Sequence, residues 1–233
     1  MNSRETGRQP VRVVMAESIL KRNEDAAARI RKLLQETNTA CVNLISSPGS
    51  GKTSILEKTI PMIAGRWSVG IIEGDIYTSR DADRIADKGV PVVQINTKGA
   101  CHLDAALVAY ALEELAREKS LHDLDIVFVE NVGNLVCPAE FDLGEDCKVV
   151  VLSTAEGSDK PLKYPLVFRE SKAVLINKID LLEHTDFDLE GIKEELRGLN
   201  PGLAFLPVSA KTGEGLEAWC EWLSAVIAER VRR

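Results

Sequence analysis

No run of apolar residues in this chain reaches the roughly 18 that a membrane span requires. The opening stretch, Met1 to Pro10, is polar and lacks the apolar segment of a secretory leader. These two absences predict a cytoplasmic protein with no membrane partner. Cysteine is scarce and odd in number: five residues, Cys41, Cys101, Cys137, Cys147 and Cys220, lie far apart. In a reducing compartment that excludes a disulfide framework and leaves core packing, metal ligation or reactive thiols. Positive charge is in deficit, with 29 Lys and Arg against 36 Asp and Glu and a net charge of −7. Such a chain repels nucleic-acid backbones and anionic lipid, so a small anion in a dedicated site is the ligand its charge allows. Internal repeats, low-complexity tracts and linker-like stretches are also missing. The 233 residues, 45% apolar and 28% charged, therefore read as one globular domain large enough to bury its own core.

What is present is alternation. Residues 1–10 read as a frayed tail. From Glu17 to Glu36, apolar residues such as Ile19, Leu20, Ala26, Ala27, Ile30, Leu33 and Leu34 recur at three- and four-residue steps between charges. This predicts an amphipathic helix packed on the main domain, with residues 1–37 forming tail and helix and 38–233 the domain proper. Short continuous apolar runs follow. Strands are expected at Cys41–Ser46, Val69–Glu73, Val90–Ile95, Asp125–Glu130, Val149–Ser153, Ala173–Asn177 and Leu203–Val208. Helices are expected at Ser54–Ala64, from His102 to about Glu118, and at Glu214–Arg230. Strands apolar on both faces that alternate with helices imply an α/β domain, a mostly parallel sheet flanked by helices.

The segment Ser46-Ser47-Pro48-Gly49-Ser50-Gly51-Lys52-Thr53 lies between the first strand and the helix that opens at Ser54. It matches the phosphate loop GxxxxGK[ST], with Ser46 where the first glycine is usual. Small residues let backbone N–H groups converge on phosphate oxygens, and the helix N-terminus adds partial positive charge. Lys52 would reach the β- and γ-phosphates and Thr53 would ligate Mg²⁺. After a later strand come Asn177-Lys178-Ile179-Asp180, an NKxD sequence. The Asp180 carboxylate can accept from N1–H and the exocyclic amine of guanine, donors that adenine does not offer there. The apolar stem of Lys178 can lie along the base, and Asn177 can tie loops together. Ser209-Ala210-Lys211 follows the last strand, in the place of the loop whose backbone N–H meets guanine O6. The three motifs in this order predict GTP rather than ATP, and disfavour a small-molecule kinase.

Glu130-Asn131-Val132-Gly133 occupies the place of a γ-phosphate sensor. Gly133 can bring a backbone N–H to the γ-phosphate, and Glu130 can act on Mg²⁺ or its water. Asp75, at the end of the second strand, can bind Mg²⁺ through water or orient the attacking water. Cys101 and His102, with Cys137 four residues beyond Gly133, offer thiolates and an imidazole suited to Zn²⁺ or Ni²⁺. By spacing alone a core cysteine and a helix-start histidine explain the pair better. Cys41 and Cys147 read as core, Cys220, Trp219 and Trp222 as packing within the last helix, and His122 and His184 as solvated. The acidic run Glu183–Glu195 reads as a helix start with its exposed face.

Taken together, SSPGSGKT, EGDIYTSRDADRI, KGACHLDA, ENVGNLVCPAEFDLGE and NKIDLL resemble the HypB-type hydrogenase nickel-incorporation GTPases, of the SIMIBI class of phosphate-loop proteins. The resemblance runs from about Val11 to the end of the chain. It implies a GTP-dependent homodimer with a metal site at the subunit interface built from Cys101, His102 and Cys137. It further implies Mg²⁺-dependent GTP hydrolysis, nickel delivery to the [NiFe]-hydrogenase large-subunit precursor and a HypA-type nickel chaperone as partner. KGACHLDA and ENVGNLVCP set it apart from urease-accessory nickel GTPases, the alternative within the class. A nucleotide-gated metal scaffold with little turnover is the alternative outside it. One departure stands out. No cysteine precedes Cys41 and the chain has three histidines, so neither a CxxCGC nickel motif nor a histidine-rich tract is expected.

Overall fold

A computed structural model of the chain describes residues 16–75 and 80–231. The expected tail over residues 1–10 lies outside the described residues, as do Ile76 to Ser79 within EGDIYTSRDADRI and the side chain of Ile19. Seven strands alternate with helices: α1 (Ala16–Thr37), β1 (Ala40–Ser46), α2 (Lys52–Ile63), β2 (Val69–Asp75), α3 (Arg80–Ala86), β3 (Val92–Asn96), α4 (Ala105–Glu118), β4 (Ile126–Gly133), α5 (Cys137–Glu140), β5 (Cys147–Ser153), α6 (Lys160–Lys163), α7 (Pro165–Arg169), β6 (Ser171–Asn177), α8 (Leu189–Leu199), β7 (Ala204–Pro207) and α9 (Leu216–Val231). The strands form one sheet in the order β3-β2-β4-β1-β5-β6-β7. Every pairing in it is parallel.

Period-two alternation divides the core. Val42 and Leu44 of β1 face α2 and α9, where they pack with Ile55, Ile60, Trp219 and Leu223. Cys41, with Val127 and Val129 of β4, faces α1 and α4 and packs with Ala27, Ile30, Leu34 and Leu112. A third cluster joins Val150 and Leu152 of β5 to Phe168, Ile192 and Leu196. Both faces are covered, which is why the strands read as continuous apolar runs. The indole N–H of Trp219, fully buried, donates to Thr59 Oγ1 at 3.0 Å. Cys41 and Cys147 are buried as expected, whereas Cys220 is half-buried with its sulfur 4.0 Å from that of Met62. His122 and His184 are exposed.

Several boundaries differ from expectation for local reasons. The helix expected from His102 starts at Ala105, because the Asp104 side chain caps it by accepting from Leu107 N–H at 2.8 Å. Cys101 and His102 are thereby left in a loop. Strand β4 runs three residues further, through Asn131 and Val132 to Gly133. The acidic run does not begin as one helix: a 3-10 turn ends at His184, and Asp188 caps α8 by accepting from Gly191 N–H. Helices α3 and α5 to α7 are too short to leave a 3.6-residue period and were not expected.

Helix α1 is bound to the sheet layer by polar as well as apolar contacts. Asn23 donates to Asp142 O at 2.7 Å and accepts from Ala105 N–H at 2.8 Å. Arg31 pairs with Asp142 at 2.6 Å. Gly144 carries a positive φ of 80°, and a Cβ there would lie 2.5 Å from Ala27 O and 2.9 Å from Ile30. A side chain at this turn would both strain the backbone and push α1 away. Gly144→Ala should therefore destabilise the chain by about 1–3 kcal/mol, the range for a residue forced into left-handed backbone in a packed place. The measurement is the urea midpoint; an unchanged midpoint would contradict this packing.

Candidate functional site

All the parallel strands end on one edge, and in such sheets ligands bind beyond the carboxyl ends of the strands. Strand β1 ends at Ser46, where a register irregularity sets Ser46 opposite Gly133. The loop after it turns on Gly49 (φ 77°) and Gly51 (φ 98°), both left-handed. At Gly51 a Cβ would collide with the Asn177 side-chain amide. At Gly133 a Cβ would sit 2.9 Å from Pro48. Glycine at these two places lets the phosphate loop, the end of β4 and the end of β6 meet. Within the loop, Ser50 donates to Ser47 O at 2.7 Å. Lys52, buried at the start of α2, donates to Ser46 Oγ at 2.7 Å. The serine in place of the usual first glycine thus gives the lysine a resting partner. Burial pulls the Lys52 ammonium below its ordinary pKa, while the neighbouring carboxylates of Glu130 and Glu73 oppose that fall.

Pro48, Gly49, Gly51, Lys52, Thr53, Ser54, Asp75, Glu130 and Gly133 border a single cavity of about 460 Å³. Thr53 Oγ1 donates to Glu130 Oε1 at 2.8 Å. Burial raises the Glu130 carboxyl above the usual range, against the pull of Lys52 and the Thr53 hydrogen bond. Glu73, on β2 directly beside Glu130 in register, borders the same cavity and is 2% exposed. Its pKa is pushed up to about 8, first by burial and then by the Glu130 charge. One oxygen of each carboxylate, Oε2 in both, is buried without a hydrogen-bond partner. Glu73 was not singled out from the sequence. The available signal was an acidic residue inside the otherwise apolar run VGIIEGD, where a buried charge is costly unless something compensates it. Arg84, also on this cavity, pairs with Glu57 and with Asp81 at 2.9 Å and holds α3 against α2.

A second cavity of about 340 Å³ adjoins the first, sharing Gly51, Ser54 and Lys178 and adding Asn177, Asp180, Ala210 and Lys211. Asn177 donates to Ser50 O at 2.8 Å and accepts from Ala210 N–H at 3.1 Å, tying three loops together. Lys178 takes a left-handed φ of 64° and donates to Gly49 O at 2.8 Å. Ser209 Oγ donates to Asp180 Oδ1 at 2.6 Å, and Lys211 Nζ lies 3.8 Å from Oδ2. One carboxylate oxygen is oriented by Ser209 while the other faces an exposed lysine. One compartment is polar with converging backbone; the other is a slot ending in an oriented carboxylate. That is the shape of a guanosine triphosphate.

The cysteine–histidine trio forms a third group, and none of its members borders either cavity. Cys101 Sγ lies 3.4 Å from His102 Nδ1 and 3.2 Å from Cys137 Sγ. One donor atom from each residue falls within 4.8 Å of the others. The His102 ring rests on Phe141 with centroids 4.1 Å apart. Burial lowers the His102 pKa, which favours the neutral imidazole that ligates metal. The hydrogen bond to Cys137 raises the Cys101 thiol above its ordinary pKa, so metal binding there would release its proton. Two thiols and an imidazole this close together are donors suited to Zn²⁺ or Ni²⁺.

Comparison with known proteins agrees with this geometry. Residues 40–207 match the family model described as CobW/HypB/UreG, nucleotide-binding domain. The hydrogenase maturation factor HypB of Rhizobium leguminosarum is 47% identical over 97% of this chain and 75% of its own length. The crystal structure of HypB from Helicobacter pylori in complex with nickel superposes with a TM-score of 0.85, at 38% identity over 90% of this chain and 97% of that one. The cell division protein FtsY of Thermotoga maritima shares the fold alone, with a TM-score of 0.53 at 17% identity over 91% of this chain and 81% of that one.

The buried Glu73 predicts a pH dependence. Its folded pKa is about 8 against an ordinary 4.5, so the folded state binds the extra proton between those values. The nucleotide-free protein should lose stability as pH rises from about 4.5 to 8, and this loss is absent below 4.5, where both states are protonated. Glu73→Gln should flatten that slope and raise the melting temperature at pH 8. Parallel slopes in melting scans of the two proteins would show that Glu73 does not titrate as described.

Proposed function

This chain belongs to the CobW/HypB/UreG family, on its HypB branch, and from that premise we propose how its residues perform the work. It is a GTPase metallochaperone that hydrolyses GTP to drive nickel insertion into the [NiFe]-hydrogenase large subunit during maturation. The observation that carries the mechanism is one of connection: Cys137, a member of the metal trio, lies four residues beyond Gly133, which packs on Pro48 of the phosphate loop.

In this reading the N–H groups of residues 49–54 cradle the phosphates, and Lys52 leaves Ser46 Oγ for the β- and γ-phosphates. Asp180 accepts from the guanine N–H groups, Lys178 flanks the base and the Ala210 backbone faces O6. The carboxylates around Thr53 fit a divalent cation, because Glu73 and Glu130 each bury an oxygen with no partner among the described residues. Thr53, Glu130, Asp75 and Glu73 are the groups that would hold Mg²⁺, which supplies charge neutralisation at the β- and γ-phosphates when bound. Water attacks the γ-phosphorus, the bond to the bridging oxygen breaks and GDP and phosphate leave. Asp75 orients the water, and the Gly133 N–H holds the γ-phosphate until it departs. The sequence offers no obvious in-line base, so turnover is slow and partners accelerate it.

Cys101, His102 and Cys137 hold the nickel cargo, with Zn²⁺ as a competitor of similar ligand preference. A GTP-dependent homodimer supports this site. Exposed apolar side chains, Val136 beside the cysteines and Leu162 and Leu166 flanking Tyr164, offer a surface for it. A HypA-type chaperone delivers nickel and the large-subunit precursor receives it, in the cytoplasm. No helix among the described residues is long and apolar enough to cross a membrane. Residues 38–233 act as the nucleotide-binding domain, with α1 as its cover.

Asp180→Asn removes a charge-assisted acceptor and should weaken GTP binding by about 10–150-fold, the equivalent of 1.5–3 kcal/mol. Calorimetry checks this, and unchanged affinity would remove the base-reading role. Nickel affinity should differ between the complexes with a GTP analogue and with GDP, by about 5–150-fold if coupling has its usual size. Equal affinities would remove the switch.

A further inference from the structure

The segment that answers to the γ-phosphate reaches the metal trio at Cys137, yet two of the three ligands lie elsewhere, in the loop before α4. Cys101 and His102 are followed by Leu103, which is fully buried. Two walls of the phosphate cavity converge on it. On one side Leu103 N–H donates to Asn131 Oδ1 at 3.0 Å, and the same oxygen accepts from Val132 N–H at 3.0 Å. On the other, the Leu103 side chain fills the space over Gly74, where a Cβ would lie 2.9 Å from it. Gly74 sits between Glu73 and Asp75, and Asn131 directly follows Glu130. A third tie leaves the far side of Gly133: Asn134 donates to the Cys101 carbonyl at 3.2 Å and accepts from Val136 N–H at 2.8 Å.

Asn131 is itself held with little freedom. It is 1% exposed, and its amide donates to Asn43 Oδ1 at 3.2 Å. Asn43, fully buried, donates to Glu145 Oε1 at 3.2 Å. A buried side-chain amide with its acceptor shared between two chain segments cannot follow one without dragging the other. An unpaired buried N–H costs as much as a lost hydrogen bond, so the segments move together.

We propose that Asn131 and Asn134 are positioning residues that carry nucleotide state to the Cys101–His102 half of the metal site, Asn131 through Leu103 and Asn134 through the Cys101 carbonyl. This rests on the switch reading above and names the second arm of that switch. When the β4 end shifts between triphosphate and diphosphate states, Asn131 moves Leu103 N–H and Asn134 moves Cys101 O. The thiolate and imidazole then change their spacing to Cys137. The cargo site is squeezed or opened from both sides rather than pulled at one cysteine.

The test measures Ni²⁺ affinity of the full chain in three states: nucleotide-free, with a non-hydrolysable GTP analogue and with GDP. Asn131→Leu keeps the volume and deletes the acceptor; Asn134→Ala, at a half-exposed position, deletes the second tie and decides the matter should the first variant fail to fold. In the parent protein the ratio of the two nucleotide-state affinities should be about 5–150. In each variant it should fall at least about twofold below the parent's, toward what the Cys137 arm alone transmits, while nucleotide-free nickel affinity stays within about threefold of the parent's. By reciprocity, nickel should lose the same factor in its effect on analogue binding. Variants that keep the parent ratio, or that weaken nickel equally in both states, would overturn this inference and leave the switch standing. A parent ratio of unity would instead sink the switch.

Discussion

Two carboxylates sit on adjacent strands beside a buried lysine, and one oxygen of each is buried without a hydrogen-bond partner among the described residues. Glu73 and Glu130 face the same cavity from register-matched positions, with the Lys52 charge offsetting part of the cost at both and the Thr53 hydroxyl and the Arg84 charge part of it at Glu130. Burying such groups without full partners is costly, and a fold keeps them only where something binds to relieve the cost. A divalent cation with a triphosphate provides the missing partners. In the proposed function, binding of a cation with its triphosphate lowers the cost of burying these groups. Free energy released there becomes available to move whatever is attached to β2 and β4.

What is attached follows from backbone geometry. Gly51 lets Asn177 approach the phosphate loop, and Gly133 lets the end of β4 lie against Pro48. Because no Cβ intervenes, loops that recognise base, phosphate and metal touch one another directly. Asn177 fastens the base loops to Ser50, so the base compartment does not move relative to the phosphate loop. The end of β4 has no such tie to the base side. Its side-chain bonds, through Asn131 and Asn134, run to the cysteine loop. Rigidity on one flank and connection on the other give motion a direction.

Much of this was legible in the sequence, because it is written in local patterns. Seven apolar runs marked the strands, and SSPGSGKT, NKID and SAK each fell at a strand end. The trio Cys101, His102 and Cys137 was suggested by resemblance, since spacing alone left a core cysteine and a helix-start histidine open. What decided for the loop was Asp104, whose cap starts α4 three residues late and frees the pair to turn together. Glu73 and Asn131 stayed hidden for a different reason. Their roles depend on which strands lie side by side, and the order β3-β2-β4-β1 is a long-range property that no window of sequence contains. A charged residue in an apolar run was visible; its neighbour across the sheet was not.

The size of the cargo response is bounded by the same physics. A nucleotide can shift the metal site only by its own difference in affinity for the two conformations. GDP keeps the base contacts at Asp180 and the phosphate-loop contacts, so most of its binding energy is common to both states and moves nothing. In the proposed function, the differential part comes from the γ-phosphate, through Gly133, Lys52 and the carboxylates near Thr53. Tight binding of the base therefore serves selection and residence, not work. In the proposed function, the exposed Cys101 and the half-buried His102 and Cys137 hold nickel accessibly enough for that lever to act on it.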